Sequence, residues 1–524
     1  MQLTLKDTFN RELPADPNRQ NTRRQVFKSA YSFVEPRQPS QPTLVHASPE
    51  MAAALGLTES DLQSEAFLEI FSGKKILSDS APYAMCYGGH QFGHWAGQLG
   101  DGRAINLGEV VHEDRRWALQ LKGSGETPYS RTADGLAVLR SSVREHLCSE
   151  AMHHLGVPTT RSLSLITTGD QVMRDMLYDG NAALEKGAVV CRVAPSFIRI
   201  GNFQIFASRS DVESLQQLAD YTIRHFFPHI KTQGKEAYLQ FFQEVMEKTL
   251  EMVIHWQRVG FVHGVMNTDN QSILGLTIDY GPYGWLDGYD PNWTPNTTDL
   301  PQKRYRFGQQ PGIALWNLFQ LANALFPLIE DPVPLEAVIK AYQDAYPAAY
   351  LKMMRGKLGL HSEQSGDMEL VSAMEKVLQE TETDMTIFFR ELAKINRQSN
   401  LEDENDWLAK LYPAFYEPYE LKGEVRENWK AWMWVYLSRL QQESASEAAR
   451  LDLMHQHNPK YVLRNYMAQL AIDAANEGDF SVVNELYELL RQPYAEQEGQ
   501  EKWYAKRPEW ARHKVGCSQL SCSS

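Results

Sequence analysis

The segment from His263 to Gly281, HGVMNTDNQSILGLTIDYG, constrains this chain more than any other. Its histidine is followed seven residues later by Asn270, and an Asp-aromatic-Gly triplet begins nine residues after that, at Asp279. An amide oxygen and a carboxylate are hard oxygen ligands of the kind that Mg²⁺ prefers. At the two ends of a short segment, these side chains can meet on one cation. The segment therefore predicts a metal site at Asn270 and Asp279.

The same spacing is typical of a protein-kinase catalytic site, in which the second carboxylate and the asparagine hold the metal ions on ATP. The kinase base stands two residues after the histidine, where this chain has Val265, which cannot accept a proton. Asp269 is the only carboxylate between His263 and Asp279, so we expect it to replace that base. Two alternatives stay open. In the first, Asp269 orients the metal site and does not act as the base. In the second, Asn270 caps a turn and Asp279 caps a helix, and neither binds a metal.

A lysine and a glutamate upstream extend this pattern. The run Trp117 to Lys122, WALQLK, alternates in a way that predicts a half-buried strand ending at the lysine. Residues 139–155 are amphipathic and predict a helix that carries Glu145. Kinases pair a strand lysine, which holds nucleotide phosphates, with a glutamate of the next helix. The alternative for Lys122 is an ordinary solvated side chain.

Glycines and arginines supply further candidates for phosphate contacts. Gly100, Gly102 and Arg103 open the predicted hairpin before the lysine strand, and backbone N–H groups of such a turn cradle phosphate. The alternative is a plain hairpin turn. Arg192 and Arg199 frame the segment VAPSFIR and suit a polyphosphate, with surface ion pairs as the alternative.

Asp134 and Gly135 stand just before the helix that carries Glu145. We expect them to cap that helix and to approach phosphate.

The order of elements favours an α+β protein with a bilobal, protein-kinase-like fold, in which a small mixed N-lobe precedes a large, mainly helical C-lobe. A second strand is predicted at 188–194, a long helix at 236–259 and a tight hairpin at 272–279 around Gly275. Further helices are predicted at 313–326, 334–346, 369–395, 428–444 and 461–475. The expected divisions are an N-terminal arm with a helical extension (1–80), the N-lobe (81–205), the C-lobe (206–400), and a helical C-terminal extension with a cysteine-containing tail (401–524).

Composition excludes several function classes. Lys and Arg number 52 against 66 Asp and Glu, which gives a formal charge of −14. A net acidic body argues against nucleic acid and anionic membrane as partners. No apolar run approaches the roughly 18 residues of a spanning helix, and the N-terminus has no apolar core of signal-peptide length, so we expect a cytoplasmic protein. Cys86, Cys148 and Cys191 show no metal-binding spacing and are expected to be buried thiols.

Several long blocks resemble a known family, the SelO (YdiU) family of selenoprotein-O-like pseudokinases. They are YGGHQFGHWAGQLGDGR, LKGSGETPYSRTADG, RVAPSFIRIGNF, HGVMNTDNQSILGLTIDYGP and the terminal SCSS. The resemblance covers most of the chain and is densest from about Pro82 to Leu325. It implies protein adenylylation, the transfer of AMP from ATP to Ser, Thr or Tyr hydroxyls of proteins, with ATP bound in a flipped orientation. It also implies that some members transfer UMP and use Mn²⁺ instead of Mg²⁺.

The resemblance assigns roles to individual residues. It implies Asp269 as proton acceptor, and Asn270 and Asp279 as metal ligands, with Asp279 also touching ATP. The nucleotide contacts that it implies are Gly100, Gly102, Arg103, Lys122, Asp134, Gly135, Arg192 and Arg199. Glu145 is expected to hold Lys122 in place.

One departure from the family concerns cysteine. Members carry a redox-active residue near the C-terminus, which is Cys522 here. In some relatives this residue pairs with a cysteine in the loop after the Asp-x-Gly triplet, and that loop has no cysteine in this chain. Cys517 is the candidate for a local pairing instead. A solvated, frayed tail is the alternative.

The sequence thus predicts an ATP-dependent protein adenylyltransferase. Two other functions stay open, a kinase that transfers the γ-phosphate with a relocated base, and an inactive nucleotide-binding scaffold.

Overall fold

A large antiparallel sheet and a helical body make up this protein. The computed structural model describes residue 1 and residues 3–521. The strands of this described part are β1 (Tyr31–Phe33), β2 (Thr43–Ala47), β3 (Tyr83–Met85), β4 (Gly88–Gln91), β5 (His94–Gln98), β6 (Ala104–His112), β7 (Arg115–Lys122), β8 (Ala137–Val138), β9 (Arg161–Arg174), β10 (Ala183–Ala194), β11 (Phe261–Val262) and β12 (Gly284–Trp285).

The α-helices of the described residues lie mostly in the second half of the chain. They are α1 (Phe9–Glu12), α2 (Pro49–Ala54), α3 (Glu59–Leu62), α4 (Glu65–Phe71), α5 (Leu139–His154), α6 (Ile200–Ser208), α7 (Val212–Phe226), α8 (Lys235–Val259), α9 (Gln310–Ile329), α10 (Pro332–Leu358), α11 (Asp367–Glu380), α12 (Met385–Leu392), α13 (Leu408–Leu411), α14 (Gly423–Leu440), α15 (Glu447–His457), α16 (Asn465–Asn476) and α17 (Ser481–Leu490). The mixed α+β class expected from the sequence is confirmed.

The main sheet has eight strands in the order β1-β3-β6-β7-β10-β9-β2, with β8 paired to β10. Its strand pairs within the described residues are antiparallel. The N-terminal segment supplies the two ends of this order, β1 and β2. The lysine strand β7 therefore lies at the middle of the sheet, where it pairs with β6 and β10.

The strand prediction for Trp117 to Lys122 is confirmed by β7, but the strand is not half-buried. Leu119 and Leu121 pack with the short helices α2 to α4 on one face of the sheet. Gln120 and Lys122 point to the other face and are also buried. The reason is that helices cover both faces, with α5 packed on β9 and β10.

Most predicted helices are confirmed, with two corrections. The predicted helix 369–395 is broken into α11 and α12, because Thr381 is extended and Asp384 caps α12 by accepting the Ile387 N–H at 3.0 Å. The predicted helix 334–346 runs on to Leu358 through Pro347, which is exposed on the solvent side of α10.

The hairpin predicted at 272–279 is wrong, although its turn exists. The Gly275 N–H donates to the Ser272 carbonyl at 3.3 Å. The two flanks do not pair with each other, because Ser272 bridges to Arg199 and Thr277 bridges to Thr159. The segment is thereby held between the start of α6 and the loop after α5.

One helical stretch among the described residues, Phe307–Ile329, is long and apolar enough to cross a membrane by length and composition. The expectation that no segment would reach this limit is therefore wrong. More than half of its apolar window is buried inside the protein, and α9 packs against α6, α8 and α10. These contacts are typical of the core helix of a soluble protein.

A separate two-stranded hairpin, β4–β5, connects β3 to the glycine-rich turn before β6. It lies against α6 and against the 3₁₀ turn Thr268–Asn270. Backbone N–H groups of His90 and Phe92 donate to Thr268 Oγ1 at 2.7 Å and Asn267 Oδ1 at 3.1 Å. The hairpin is therefore fixed to the segment that carries Asp269.

Gly201 of α6 allows this close approach, and its replacement should be costly. A Cβ atom there would lie 2.2 Å from the carbonyl oxygen of Gly88. We expect Gly201→Ala to lower the free energy of unfolding by about 1–3 kcal/mol through overpacking, measured by urea denaturation. Gly366→Ala is the matched control, because a Cβ there meets nothing within 4 Å. Equal stability of the two variants would contradict this packing.

Candidate active site

A cavity of about 610 Å³ lies where the main sheet, the β4–β5 hairpin and the Thr268–Asn270 turn meet. It collects most of the residues singled out from the sequence. Those that line it are Gly100, Gly102, Arg103, Lys122, Asp134, Gly135, Arg192, Asp269, Asn270 and Asp279. Val265, which stands at the kinase base position, lines it as well.

The lysine–glutamate pair is formed. Lys122 Nζ lies 2.5 Å from Glu145 Oε2, and both side chains are buried. Burial lowers the pKa of Lys122 to about 8, against the attraction of Glu145 and with help from the positive charges of Arg103 and Arg192. Glu145 does not line the cavity. It lies behind Lys122 and holds the ammonium group at the cavity wall.

Asp279 is held between two buried arginines. Its Oδ1 accepts from Arg192 Nη1 at 2.6 Å, and its Oδ2 accepts from Arg199 Nη1 at 2.5 Å. Burial raises the pKa of Asp279, but the charges of Arg199, Arg192 and Lys122 outweigh it and hold the pKa far below its usual range. Asp279 is therefore a permanent anion in this site and is not a helix cap.

Arg192 and Arg199 occupy different positions. Arg192 also lies 3.2 Å from Glu145 Oε1, which links it to the lysine pair. Arg199 is 1% exposed and does not line the cavity. It donates to the Asp269 carbonyl at 2.9 Å. Arg199 therefore contacts the backbone of Asp269 and the side chain of Asp279, and it is not exposed to the cavity.

Asp269 presents one oxygen without a hydrogen-bond partner. Its Oδ2 accepts from Gln91 Nε2 at 3.2 Å, whereas the buried Oδ1 has no partner. Burial raises the pKa of Asp269 to about 6. A carboxylate that lines a cavity and has a pKa near neutrality is suited to accept a proton.

Asn270 is anchored through its amide nitrogen. Nδ2 donates to the Val265 carbonyl at 3.1 Å, which leaves the amide oxygen as the atom available to a further partner. His263 has a similar anchoring role. Its Nε2 donates to the Ile278 carbonyl at 2.8 Å, one residue before Asp279. This hydrogen bond therefore connects the two ends of the 263–279 segment.

The donor set fits a divalent cation. Asn270 with its amide oxygen and Asp279 and Asp269 with their carboxylates line one cavity. The two arginines each engage one oxygen of Asp279, and a carboxylate offers about four lone-pair sites, so both oxygens keep acceptor capacity. Hard oxygen ligands of this kind, together with phosphate oxygens, are what Mg²⁺ takes in nucleotide sites.

The glycine-rich turn is tightly packed. A Cβ at Gly100 would lie 2.4 Å from Tyr129 Cγ, and one at Gly102 would lie 2.9 Å from the Tyr129 carbonyl oxygen. Side chains are thus excluded on structural grounds at both positions. Arg103 lines the cavity beside this turn.

The expected helix cap at Asp134 and Gly135 is wrong. The N-cap of α5 is Val138, which makes no side-chain cap. Asp134 is instead held by Arg174, whose Nη1 and Nη2 donate to its two oxygens at 2.7 and 2.8 Å. The chain turns between Gly135 and α5 to form β8, which separates the Asp-Gly pair from the helix start.

Several residues of the cavity were not found from the sequence. Gln91, Arg174 and Tyr178 line it, as does the loop Ser130–Ala133. Gln120 lies on the face of β7 that carries Lys122 and accepts from Arg192, so strand alternation contained the signal for it. The local sequence around the other residues does not predict a role in the site, because contacts between distant segments bring them there.

The C-terminal tail is packed rather than frayed up to Ser521. The Leu520 carbonyl accepts from the Thr297 N–H at 2.7 Å, and Leu520 is fully buried. Cys86, Cys148 and Cys191 are buried free thiols, as expected, and Cys517 is also buried. Cys522 lies outside the described residues, so its pairing with Cys517 stays a prediction.

Comparison with known proteins identifies the family. A protein nucleotidyltransferase YdiU of Flavobacterium johnsoniae is 59% identical over 522 residues, which is 100% of this chain and 99% of that protein. Proteins of the same name from Rhodopirellula baltica and Azoarcus sp. (strain BH72) are 55% and 52% identical, again over 100% of this chain and 99% of each relative. The model of the family described as "Protein adenylyltransferase SelO" matches residues 18–491. The chain therefore belongs to the SelO family, as the sequence blocks predicted.

Removing the charge of Asp279 should destabilise the protein. Asp279→Asn leaves Arg192 and Arg199 buried beside a neutral group, and we expect it to lower the free energy of unfolding by about 3 kcal/mol. Chemical denaturation of the metal-free and nucleotide-free protein measures this loss. Asp134→Asn is the control, because its pair with Arg174 is partly exposed and should cost less than about 1 kcal/mol. Similar losses in both variants would contradict a buried charge cluster.

Proposed function

We propose that this chain is a protein adenylyltransferase that moves AMP from ATP to Ser, Thr or Tyr hydroxyls of proteins and releases pyrophosphate. The observation that carries the proposal is Asp269, a carboxylate of raised pKa that lines the same cavity as Lys122, Arg192 and Asp279. The kinase base position holds Val265 in the same cavity. Membership in the SelO family supports this activity.

We further propose a bilobal, kinase-like arrangement. The small lobe (81–205) would hold the strand lysine and the helix glutamate, and the large lobe (206–400) would hold the Asn270–Asp279 segment. An antiparallel sheet with one helix between the lysine strand and the next strands supports this arrangement. The segments 1–80 and 401–524 would be extensions around these lobes.

The nucleotide would lie along the glycine-rich turn. The side chains of Lys122, Arg103 and Arg192 would stabilise phosphate charge. Gly100 and Gly102 would let the backbone approach the phosphates closely, in a turn closed by the Gly102 N–H, which donates to the Gly100 carbonyl at 2.8 Å. Asp134 and Gly135 would approach the phosphates from the far side of the cavity. Arg199 would act through Asp279, which it orients, because it does not reach the cavity itself.

Mg²⁺, with Mn²⁺ as the alternative, would be held by Asn270 and Asp279, and when bound it would neutralise charge on the phosphates. The acceptor hydroxyl would lose its proton to the carboxylate of Asp269, which lines the cavity. Its oxygen would form a bond to the α-phosphorus while the bond from that phosphorus to the β-bridging oxygen breaks. Pyrophosphate would leave with the electron pair. ATP and hydroxyl-bearing proteins are thus the partners of this site, in agreement with a cytoplasmic location.

Labelled nucleotides test the proposal. We expect label from α-labelled ATP to be retained on protein, and label from γ-labelled ATP to be lost as pyrophosphate. Asp269→Asn should lower the rate by about 10²–10⁴-fold while ATP still binds. Retention of the γ label alone would identify a kinase, and retention of neither would identify a scaffold. α-Labelled UTP in a parallel reaction measures whether UMP is transferred.

The charge of Lys122 should set a pH limit on ATP binding. Its pKa is lowered to about 8 in the free protein, so the ammonium is present below that pH and is lost as the pH rises through it. We therefore expect ATP affinity, measured by calorimetry, to fall above about pH 8. Lys122→Arg keeps its charge across this range. Its affinity should stay level, and an identical fall in both proteins would rule out Lys122 as the cause.

A further inference from the structure

A cluster of two histidines and a glutamate lies outside the candidate active site, at the C-terminal end of α5. His153 and His154 stand in the last turn of α5, and Glu50 belongs to the short helix α2. Each residue offers one ligand atom, and these three atoms lie within 4.8 Å of one another. None of the three residues lines the cavity that holds Asp269 and Asp279. The cluster is therefore a separate group of metal-ligating side chains.

The distance between two of these side chains matches metal coordination. His154 Nε2 lies 3.3 Å from Glu50 Oε2. This nitrogen is buried, and within the described part of the chain it has no hydrogen-bond partner. Two ligands of a tetrahedral zinc ion, with bonds of about 2.0–2.1 Å, stand about 3.3–3.4 Å apart. The nitrogen and the oxygen therefore already have the separation that a shared zinc ion requires.

His153 completes the group from the solvent side. Its ring centroid lies 5.0 Å from that of His154. Its side chain is exposed, so the ring can turn toward an ion without a shift of the helix. Burial lowers the pKa of His154, against the attraction of Glu50, so this ring is neutral and keeps a lone pair for a metal. Two imidazole rings and one carboxylate are thus available at one place.

The charges around the cluster favour a cation. Glu50 Oε1 accepts from Arg491 Nε and Nη2 at 3.0 and 2.7 Å, so Oε2 is the oxygen left for a metal. Arg161 Nη2 lies 3.8 Å from that Oε2, but Arg161 donates to both oxygens of Glu150 at 2.8 Å. Arg491 Nη1 also pairs with Glu488 at 2.9 Å. Three carboxylates thus stand against two guanidinium groups, which leaves a net negative charge for a bound cation to balance.

We propose that His153, His154 and Glu50 bind a zinc ion, with water at the fourth position, and that this ion connects α2 to α5. Two histidines, one glutamate and a water are an established ligand set of zinc. Imidazole suits zinc, whereas magnesium takes oxygen ligands. The C-terminal end of a helix also favours a cation. Because α5 carries Glu145, the ion would anchor the helix that holds Lys122. The inference goes beyond the proposed function and does not depend on it, since zinc binding here needs no nucleotide.

Zinc binding to the full chain tests the site. The protein is dialysed against a chelator, returned to buffer that contains Mg²⁺ in excess to occupy oxygen-rich sites, and titrated with Zn²⁺ by calorimetry. We expect His153→Ala to bind one zinc equivalent at least about 100-fold more weakly, because loss of a residue that only supports a ligand already costs about 10–100-fold. Glu50→Gln should have the same effect. Zn²⁺ should also raise the midpoint of thermal unfolding more in the unmodified protein than in His153→Ala.

The control is His229→Ala, which removes another exposed histidine that lies beside one carboxylate, Glu244. It should bind zinc as the unmodified protein does. Because His153 is exposed, its replacement should leave the fold intact, and the unfolding midpoint measured without zinc checks this. The zinc site would be overturned if the unmodified protein bound no zinc, if His153→Ala bound it equally well, or if His229→Ala weakened binding to the same extent.

Discussion

The contact of one carboxylate with two buried guanidinium groups organises this molecule. Burying an ion costs several kcal/mol unless it is paired and hydrogen-bonded, and Asp279 pairs with both Arg192 and Arg199. Arg192 comes from the sheet, Arg199 from the start of α6, and Asp279 from the segment after β11. Glu145 joins the same cluster through Lys122 and Arg192. These ion pairs lie at the cavity. They therefore connect the main sheet, α5 on its inner face and the helical body to one another.

Much of this cluster was predictable because its signals are local. Strand alternation placed Lys122 on the inner face of β7, helical periodicity placed Glu145 on α5, and spacing placed Asn270 and Asp279 at the ends of one segment. The same reasoning did not distinguish Arg192, which lines the cavity, from Arg199, which lies behind Asp279. Arg192 lies near the end of β10 and Arg199 directly before α6, on either side of one short loop, and their roles differ only in the packed molecule.

The errors came from contacts between distant segments. The turn at Gly275 is encoded locally, but its flanks pair with other parts of the chain instead of with each other. The sequence around Asp134 predicts a helix cap. In the structure β8 separates Asp134 from the helix, and Arg174, at the end of β9, donates to both of its oxygens. Gln91 carries no signal of its own, because only the folding of the hairpin onto the Thr268–Asn270 turn brings it to Asp269.

The two ends of the main sheet, β1 and β2, both belong to the first 47 residues of the chain. Each of them covers an inner strand whose N–H and C=O groups would otherwise face solvent. Unpaired strands of this kind template association with other chains. Shortening the protein at its beginning would therefore uncover β3 and β9 together, so the N-terminal segment protects the sheet against self-association as well as completing it.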